Sequence, residues 1–263
     1  MNVERSIDGQ PTFLYTAGPA AGMRGVLLFI HGAAHDHSVW TLPCRHFARL
    51  GYRVLAPDLP GHGRSGGTPL ASIPALADWA AQLLLETEEG PATAIGHSMG
   101  SLVALALAAR HPRLVTRLAL LGTAVPMPVS ESLLATARNN EAQAHAMINT
   151  WSFSPRGQLG PSGIPGMWPT GLNRRLMERA APGVLHTDLA ACNAFSEATL
   201  TDGVEAPALI IAGGRDQMTP PKAARALALQ LGGARLEIIG DAGHGMLSER
   251  PNQVLDALRS FIL

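Results

Sequence analysis

Residues 96–100 read Gly-His-Ser-Met-Gly, directly after the apolar run Ala-Thr-Ala-Ile and directly before the helix-forming stretch Ser101 to Arg110. A serine between two glycines at a strand-to-helix junction is a candidate nucleophile. The tight turn holds Ser98 in a strained backbone conformation, and Gly96 and Gly100 leave room for the chain to approach itself. Its hydroxyl then stands at a helix opening, where free N–H groups and the helix dipole favour the negative charge that develops during acyl transfer. The five letters alone also fit a glycine-rich turn with Ser98 as N-cap. The strand and helix signals on the sides the chemistry requires favour the nucleophile.

A serine hydroxyl is weakly acidic and needs a base, commonly an imidazole oriented by a carboxylate. His244 lies in Asp-Ala-Gly-His-Gly-Met, a glycine-flanked loop after the apolar run Arg235 to Ile239 and before the last helical stretch. Asp216 lies in Gly-Gly-Arg-Asp-Gln-Met-Thr-Pro, again just after a buried run, Ala208 to Ala212. The chain order is Ser, Asp, His. Asp241 is the rival acid, but three residues from His244 it is badly placed to orient that imidazole, so Asp216 leads. Asp58 is expected to brace its own glycine-rich loop. His31, His35 and His37 with Asp36 have the residue types of a metal site; roles as polar loop residues suffice for them, and neither metal nor cofactor is expected. His97 and His62 are expected to satisfy hydrogen bonds within turns, and His111 to close a helix.

Strand-like runs recur at Val26 to Ile30, Arg53 to Ala56, Ala92 to Ile95, Arg117 to Leu121, Ala208 to Ala212 and Arg235 to Ile239, with helical stretches between them. Continuous apolar runs of this length fit strands buried on both faces. The alternation predicts an α/β fold, a mostly parallel sheet with helices on both faces. Val3 to Ile7 and Thr12 to Thr16, around Asp8-Gly9, read as a hairpin adding an antiparallel edge. Between β-like runs the rhythm breaks over 124–205, a region rich in glycine, proline and tryptophan around 151–171. Short helices are expected at Glu131 to Asn149 and Asn173 to Ala181. Residues 1–123 and 206–263 are therefore expected to form the core, and 124–205 an inserted helical cap over the carboxyl edge of the sheet, where ligands bind in such folds.

The composition agrees with a compact domain: 263 residues, 46% hydrophobic and 15% charged. Twenty basic residues balance twenty acidic ones, and no basic stripe is interleaved with aromatics, so nucleic acid is not an expected partner. The amino terminus has no apolar stretch that could serve as a signal sequence, no segment is long enough for a membrane span, and the expected location is the cytoplasm. Cys44 and Cys192 are far apart and read as reduced packing residues.

Taken together, four segments make the chain resemble the α/β-hydrolase superfamily, in its serine-nucleophile carboxylesterase or haloperoxidase-like branch. They are His31-Gly32-Ala33-Ala34, Asp58-Leu59-Pro60-Gly61-His62-Gly63-Arg64-Ser65, the serine elbow, and the loops bearing Asp216 and His244. The resemblance implies Ser98 as nucleophile, His244 as general base and then general acid, and Asp216 as the orienting carboxylate. It also implies an oxyanion hole from the backbone N–H groups of Ala33 and Met99, with His31 preceding the oxyanion glycine. A serine at the elbow argues against the dehalogenase and epoxide hydrolase members, which use a carboxylate there. Ser101, where the family often has glycine, is a small departure.

The expected substrate is a small to medium uncharged carboxylic ester, cleaved through an acyl-enzyme. The cap's Trp151, Phe153, Trp168 and Phe195, with Met127, Met147, Met167 and Met177, suit either a pocket lining or a cap-to-sheet contact. Trp151 and Trp168 are the expected substrate contacts. The same triad would also serve a carbon–carbon bond hydrolase or a cofactor-free haloperoxidase or perhydrolase. A ligand-binding protein with a vestigial site is the alternative outside catalysis.

Overall fold

The computed structural model of the chain describes residues 2–160, 166, 168–195 and 203–263. Met167 lies outside them. The apolar runs become strands β1 (Asn2–Ile7), β2 (Gln10–Ala17), β3 (Val26–Ile30), β4 (Arg53–Pro57), β5 (Ala92–His97), β6 (Val115–Leu121), β7 (Ala208–Gly213) and β8 (Arg235–Ile239). They form one sheet in the order β1-β2-β4-β3-β5-β6-β7-β8. β1 and β2 pair antiparallel as the hairpin at Asp8-Gly9, β2 meets β4 antiparallel, and the remaining pairs are parallel.

Every residue of β3 is buried, as a central parallel strand requires. The side chains alternate between two cores. Val26, Leu28 and Ile30 face the core built with helices α2 (Ile73–Thr87) and α3 (Met99–Arg110). Leu27 and Phe29 face the other, with Phe47 of α1 (Thr41–Arg49) and Val254, Leu258 and Ile262 of the closing helix. Period-two alternation thus assigns one run of five apolar residues to two layers.

Between β6 and β7 the chain leaves the sheet. It forms α4 (Glu131–Asn139), α5 (Glu141–Ser152), α6 (Pro155–Gln158), α7 (Pro169–Met177) and α8 (Val184–Ala194). The stretch Glu131 to Asn149, where short helices were expected, holds α4 and most of α5, parted where Asn140 adopts φ −153°, ψ 78° and caps α5 by accepting the Gln143 N–H at 3.2 Å. The second expected helix starts earlier, at Pro169, whose fixed φ suits a first helical position. α8 was not expected. Leu133, Ala144, Ile148, Met177 and Leu189 of these helices make a small core of their own, which reaches the sheet side at Ala34. The chain then closes with α9 (Pro221–Gln230), α10 (Met246–Glu249) and α11 (Pro251–Ile262). Among the described residues no helix is long and apolar enough to cross a membrane.

β3 lies between β4 and β5, so the chain crosses to opposite sides after consecutive strands. Such a reversal opens a crevice at the carboxyl ends of the strands. The loop after β3 begins with His31 and Gly32, and the turn after β5 holds Ser98.

Candidate active site

Ser98 has φ 55° and ψ −124°, a left-handed conformation that a side chain rarely adopts. Close packing imposes it. A Cβ on Gly96 would fall onto the Gly100 carbonyl, and one on Gly100 onto the Ile30 carbonyl. The turn is pinned by the Ser98 N–H, which donates to Leu121 O at 2.9 Å, and by Ser101, whose hydroxyl and N–H donate to Ser98 O at 2.6 and 2.8 Å. Ser101, unusual beside the elbow, thereby takes part in holding it. Met99 opens α3, whose first N–H groups have no carbonyl a turn earlier to receive them.

The loops after β7 and β8 bring Asp216 and His244 together. His244 Nδ1 lies 2.8 Å from Asp216 Oδ2. Asp216 is buried and accepts four donors: the N–H groups of Met218 and Thr219 on Oδ1, both at 2.8 Å, and the Thr219 hydroxyl and His244 Nδ1 on Oδ2. Burial alone would raise its pKa, but the His244 imidazole and these hydrogen bonds outweigh that and hold the carboxyl below its ordinary range. A carboxylate that only accepts requires the proton on His244 Nδ1, which leaves Nε2 as the basic nitrogen. That Nε2 is buried and, among the described residues, has no hydrogen-bond partner. Asp241, the rival acid, is 57% exposed and pairs with Arg250 instead.

His97, expected to bond within its turn, reaches 147 residues along the chain and donates through Nε2 to the His244 carbonyl at 2.9 Å. Desolvation, then the nearby His244, lower its pKa to about 3, so it props the His244 backbone as a neutral ring. The same loop is gripped from the other side by Glu249. Its carboxylate is buried and accepts the Gly243 N–H at 2.6 Å and the Ser154 N–H at 2.7 Å, and the Gly245 N–H donates to Ser152 O at 2.7 Å. Neither Glu249 nor Thr219 was anticipated. Thr219 had a local sign, a hydroxyl three residues after the acid, whereas the Glu249 contact to Ser154 spans 95 residues.

The loop after β3 is fixed by its own histidines. His31 Nδ1 and the His35 N–H donate to Gly32 O at 2.9 and 3.3 Å. The trans peptide therefore aims the Ala33 N–H the opposite way. A Cβ on Gly32 would stand 3.2 Å from the Ser98 Cβ, so this peptide edges the Ser98 turn. His31 Nε2 accepts the Leu59 N–H at 3.0 Å, and burial and the neighbouring His62 lower its pKa to about 3. Asp58 braces its loop, accepting N–H groups of His37 and Arg64, both at 2.8 Å. Asp36, His37 and Asp58 do cluster closely enough to hold a cation. Their oxygens, however, are engaged by the loop's own N–H groups and by the Ser38 hydroxyl.

Gly32, Ala33, Ser98 and His244 border a cavity of about 210 Å³. From α4, α5 and α8 it is walled by Leu133, Ile148, Trp151 and Leu189, and from the loop after β6 by Met127 and Val129. Asn173 and His35 supply a polar edge, hydrogen-bonded to each other at 2.8 Å. Among the described residues of the wall there is no Asp, Glu, Lys or Arg.

Of the aromatic and methionine set, Trp151 and Met127 line this cavity, while Phe153, Phe195 and Met177 are packed in the cores. Met147 packs against the small core shared by α4, α5, α7 and α8. Trp168 is a correction: it stands outside the cavity, 66% exposed. Pro169 starts α7 immediately after it, and its ring lies over Gly171, where a missing side chain leaves the space.

Known proteins share this arrangement of chain. A family model described as the alpha/beta hydrolase family matches residues 27–257. A pimeloyl-[acyl-carrier protein] methyl ester esterase from Aromatoleum aromaticum is 33% identical over 239 residues, 86% of this chain and 93% of that protein. An (E)-2-((N-methylformamido)methylene)succinate hydrolase from Acinetobacter baylyi is 26% identical over 90% of this chain and 89% of its own. Among solved structures, an enol-lactonase from Burkholderia xenovorans superposes with a TM-score of 0.88 at 24% identity, covering 99% of both chains.

Proposed function

The chain belongs to the alpha/beta hydrolase family and is a hydrolase, and on that premise we propose that it cleaves a small to medium, uncharged carboxylic ester through an acyl-enzyme on Ser98. The observation that carries this reading is the unpartnered, buried Nε2 of His244, bordering the cavity it shares with Ser98 while Nδ1 is bound to Asp216.

His244 Nε2 takes the Ser98 proton as the oxygen attacks the acyl carbonyl. The tetrahedral oxyanion accepts from the Ala33 and Met99 N–H groups, each such donor being worth roughly 2.7 to 4 kcal/mol of barrier. The carbonyl re-forms, the C–O bond to the alcohol breaks, and the alkoxide receives the proton from Nε2. Water then attacks the acyl-enzyme, giving its proton to the same nitrogen, and the acid leaves as Ser98 is reprotonated. Asp216 stays ionised throughout and fixes the tautomer.

The uncharged wall of Leu133, Ile148, Trp151 and Leu189 supports a neutral acyl group. The naming of the 33% identical relative for a methyl ester supports an ester over an amide. Residues 124–205 would then be the cap that supplies this wall. The test is hydrolysis of p-nitrophenyl esters with acyl chains of two to about twelve carbons by wild type and Ser98→Ala. Length-selective turnover lost in the variant is expected. A wild type without turnover on any ester would move the assignment to carbon–carbon bond hydrolysis or to ligand binding.

A further inference from the structure

Asp188 sits on α8, inside the cap, yet its carboxylate is spent on the sheet side of the pocket. Oδ2 accepts the Ala34 N–H at 2.8 Å and faces His62 Nε2 at 2.8 Å. Both side chains are 1% exposed. The other His62 nitrogen, Nδ1, faces the Pro60 carbonyl at 3.0 Å. Two ring nitrogens that each face an oxygen acceptor are satisfied together only by an imidazolium. His62 and Asp188 therefore make a buried, charge-balanced pair, and a carboxylate in such a pair is a strong, directional acceptor. Burial opposes the charge on His62, but the Asp188 carboxylate overcomes it and raises the pKa.

The N–H that this pair holds belongs to the peptide next to the oxyanion donor. Ala33 O and Ala34 N–H are the two ends of one peptide plane, and each end is tied: the carbonyl accepts His35 Nδ1 at 2.7 Å, and the N–H donates to Asp188. Ala34 has φ 52°, a conformation that an alanine keeps only where surroundings enforce it. The preceding peptide, which carries the Ala33 N–H, is held through Gly32 O by His31 and His35. Released at Ala34, the chain can relax its φ, and the loop that carries the Ala33 N–H loses one of the ties that hold it.

We infer that Asp188, charge-balanced by His62, is a positioning residue for the oxyanion hole: through the Ala34 N–H the cap sets the aim of the Ala33 donor. This rests on the reading of Ser98 and Ala33 given above. The cap thus shapes the transition state as well as the acyl pocket, because the oxyanion loop reaches its working conformation with α8 seated on it.

The experiment compares wild type, Asp188→Asn, Asp188→Leu and Ser98→Ala on p-nitrophenyl acetate and octanoate. It also measures affinity for a trifluoromethyl ketone, which forms an oxyanion on the serine, and for the matching methyl ketone, which stays a carbonyl. Leucine keeps the volume and removes the acceptor. Asparagine with its amide oxygen in the Oδ2 position keeps an acceptor for both the Ala34 N–H and the His62 Nε2–H and removes only the charge. For Asp188→Leu, kcat should fall about 10- to 100-fold on both esters with KM within about threefold, and trifluoromethyl ketone affinity should fall with it while methyl ketone affinity holds. Asp188→Asn should recover kcat to within about threefold of wild type. If the leucine variant does not fold, Asp188→Ser is read instead; its hydroxyl is too short for Ala34, and the same loss is expected. A folded Asp188→Leu or Asp188→Ser with wild-type kcat, or with a loss confined to KM and dependent on acyl length, would make Asp188 a cap-packing residue and overturn the inference. Ser98→Ala separates the two readings: turnover retained there removes the serine mechanism, whereas an inert Ser98→Ala beside a fully active Asp188→Leu removes only the role of Asp188.

Discussion

The two walls of the pocket are built by different rules. On the sheet side, Ser98, Asp216 and His244 each follow a strand, buried for Ser98 and Asp216 and a partly exposed edge strand for His244, so neighbouring residues dictate where they point: Gly96 and Gly100 shape the elbow, and the Asp216 loop supplies its own N–H donors. On the side of the inserted helices, the proposed cap, Trp151, Leu133 and Leu189 come from three helices whose positions depend on a small separate core. The sheet side is rigid because parallel strands fix where each loop starts. Apart from Asp188, which reaches across to the Ala34 N–H, the cap side can vary without disturbing that frame. One wall is suited to chemistry shared by a family, the other to the choice of acyl group.

Substitutions on the sheet side should hit kcat for every ester, and those on the cap side, Asp188 apart, should change which ester is preferred. The largest effect is expected for Asp216→Asn, with kcat down about 10⁴-fold on all acyl lengths, since the amide no longer fixes the His244 tautomer. A loss below about tenfold in steady-state assays would break the sheet-side half of the comparison. For Trp151→Ala the ratio of kcat/KM between long and short acyl chains should shift by about 10- to 100-fold, with the best substrate retaining turnover. An unchanged length profile would take Trp151 out of the specificity wall.

Smaller effects concern stability. His31 and His97 stay neutral in the fold, with pKa values lowered to about 3 by burial and by neighbouring histidines. The unfolded chain takes up those protons near pH 6.5, so stability present above about 6.5 is lost as the pH falls toward 3. His62 has the opposite sign: its raised pKa contributes stability fully present below about 6.5 and lost as the pH rises through the folded value. Calorimetry should find Tm falling by several degrees, roughly, between pH 6.5 and 4.5, with a shallower slope in His97→Gln. A Tm flat over that range would contradict neutral, enclosed rings. Smallest of all, Trp168→Ala should leave both the ester profile and stability unchanged within about 0.5 kcal/mol, because its ring is exposed. An altered profile would mean that the cap's outer face takes part in recognition.

The same division explains how much was legible in the sequence. The elbow, the strand runs and the Asp216 and His244 loops were readable because glycine spacing and apolar periodicity act over a few residues. β3 and β7 lie where their composition puts them, and α3 spans the stretch expected of it. The cap was read only as an insertion. Its helix break at Asn140 turns on one residue's backbone, and α8 carries little amphipathic signal because it is buried against both α3 and α4. Trp168 was misplaced because composition gives a side chain's size and not its direction. The pair of His62 and Asp188 spans 126 residues, and no local pattern in either segment announces it.

The central claim, that Ser98 is the nucleophile activated by His244, is tested most directly by covalent labelling. The protein is incubated with a fluorophosphonate, and the site is mapped by peptide mass spectrometry in wild type, Ser98→Ala and His244→Ala. The account predicts one adduct per chain, on Ser98, absent from Ser98→Ala and formed far more slowly in His244→Ala. An adduct on another residue, or none in an active wild type, would contradict it.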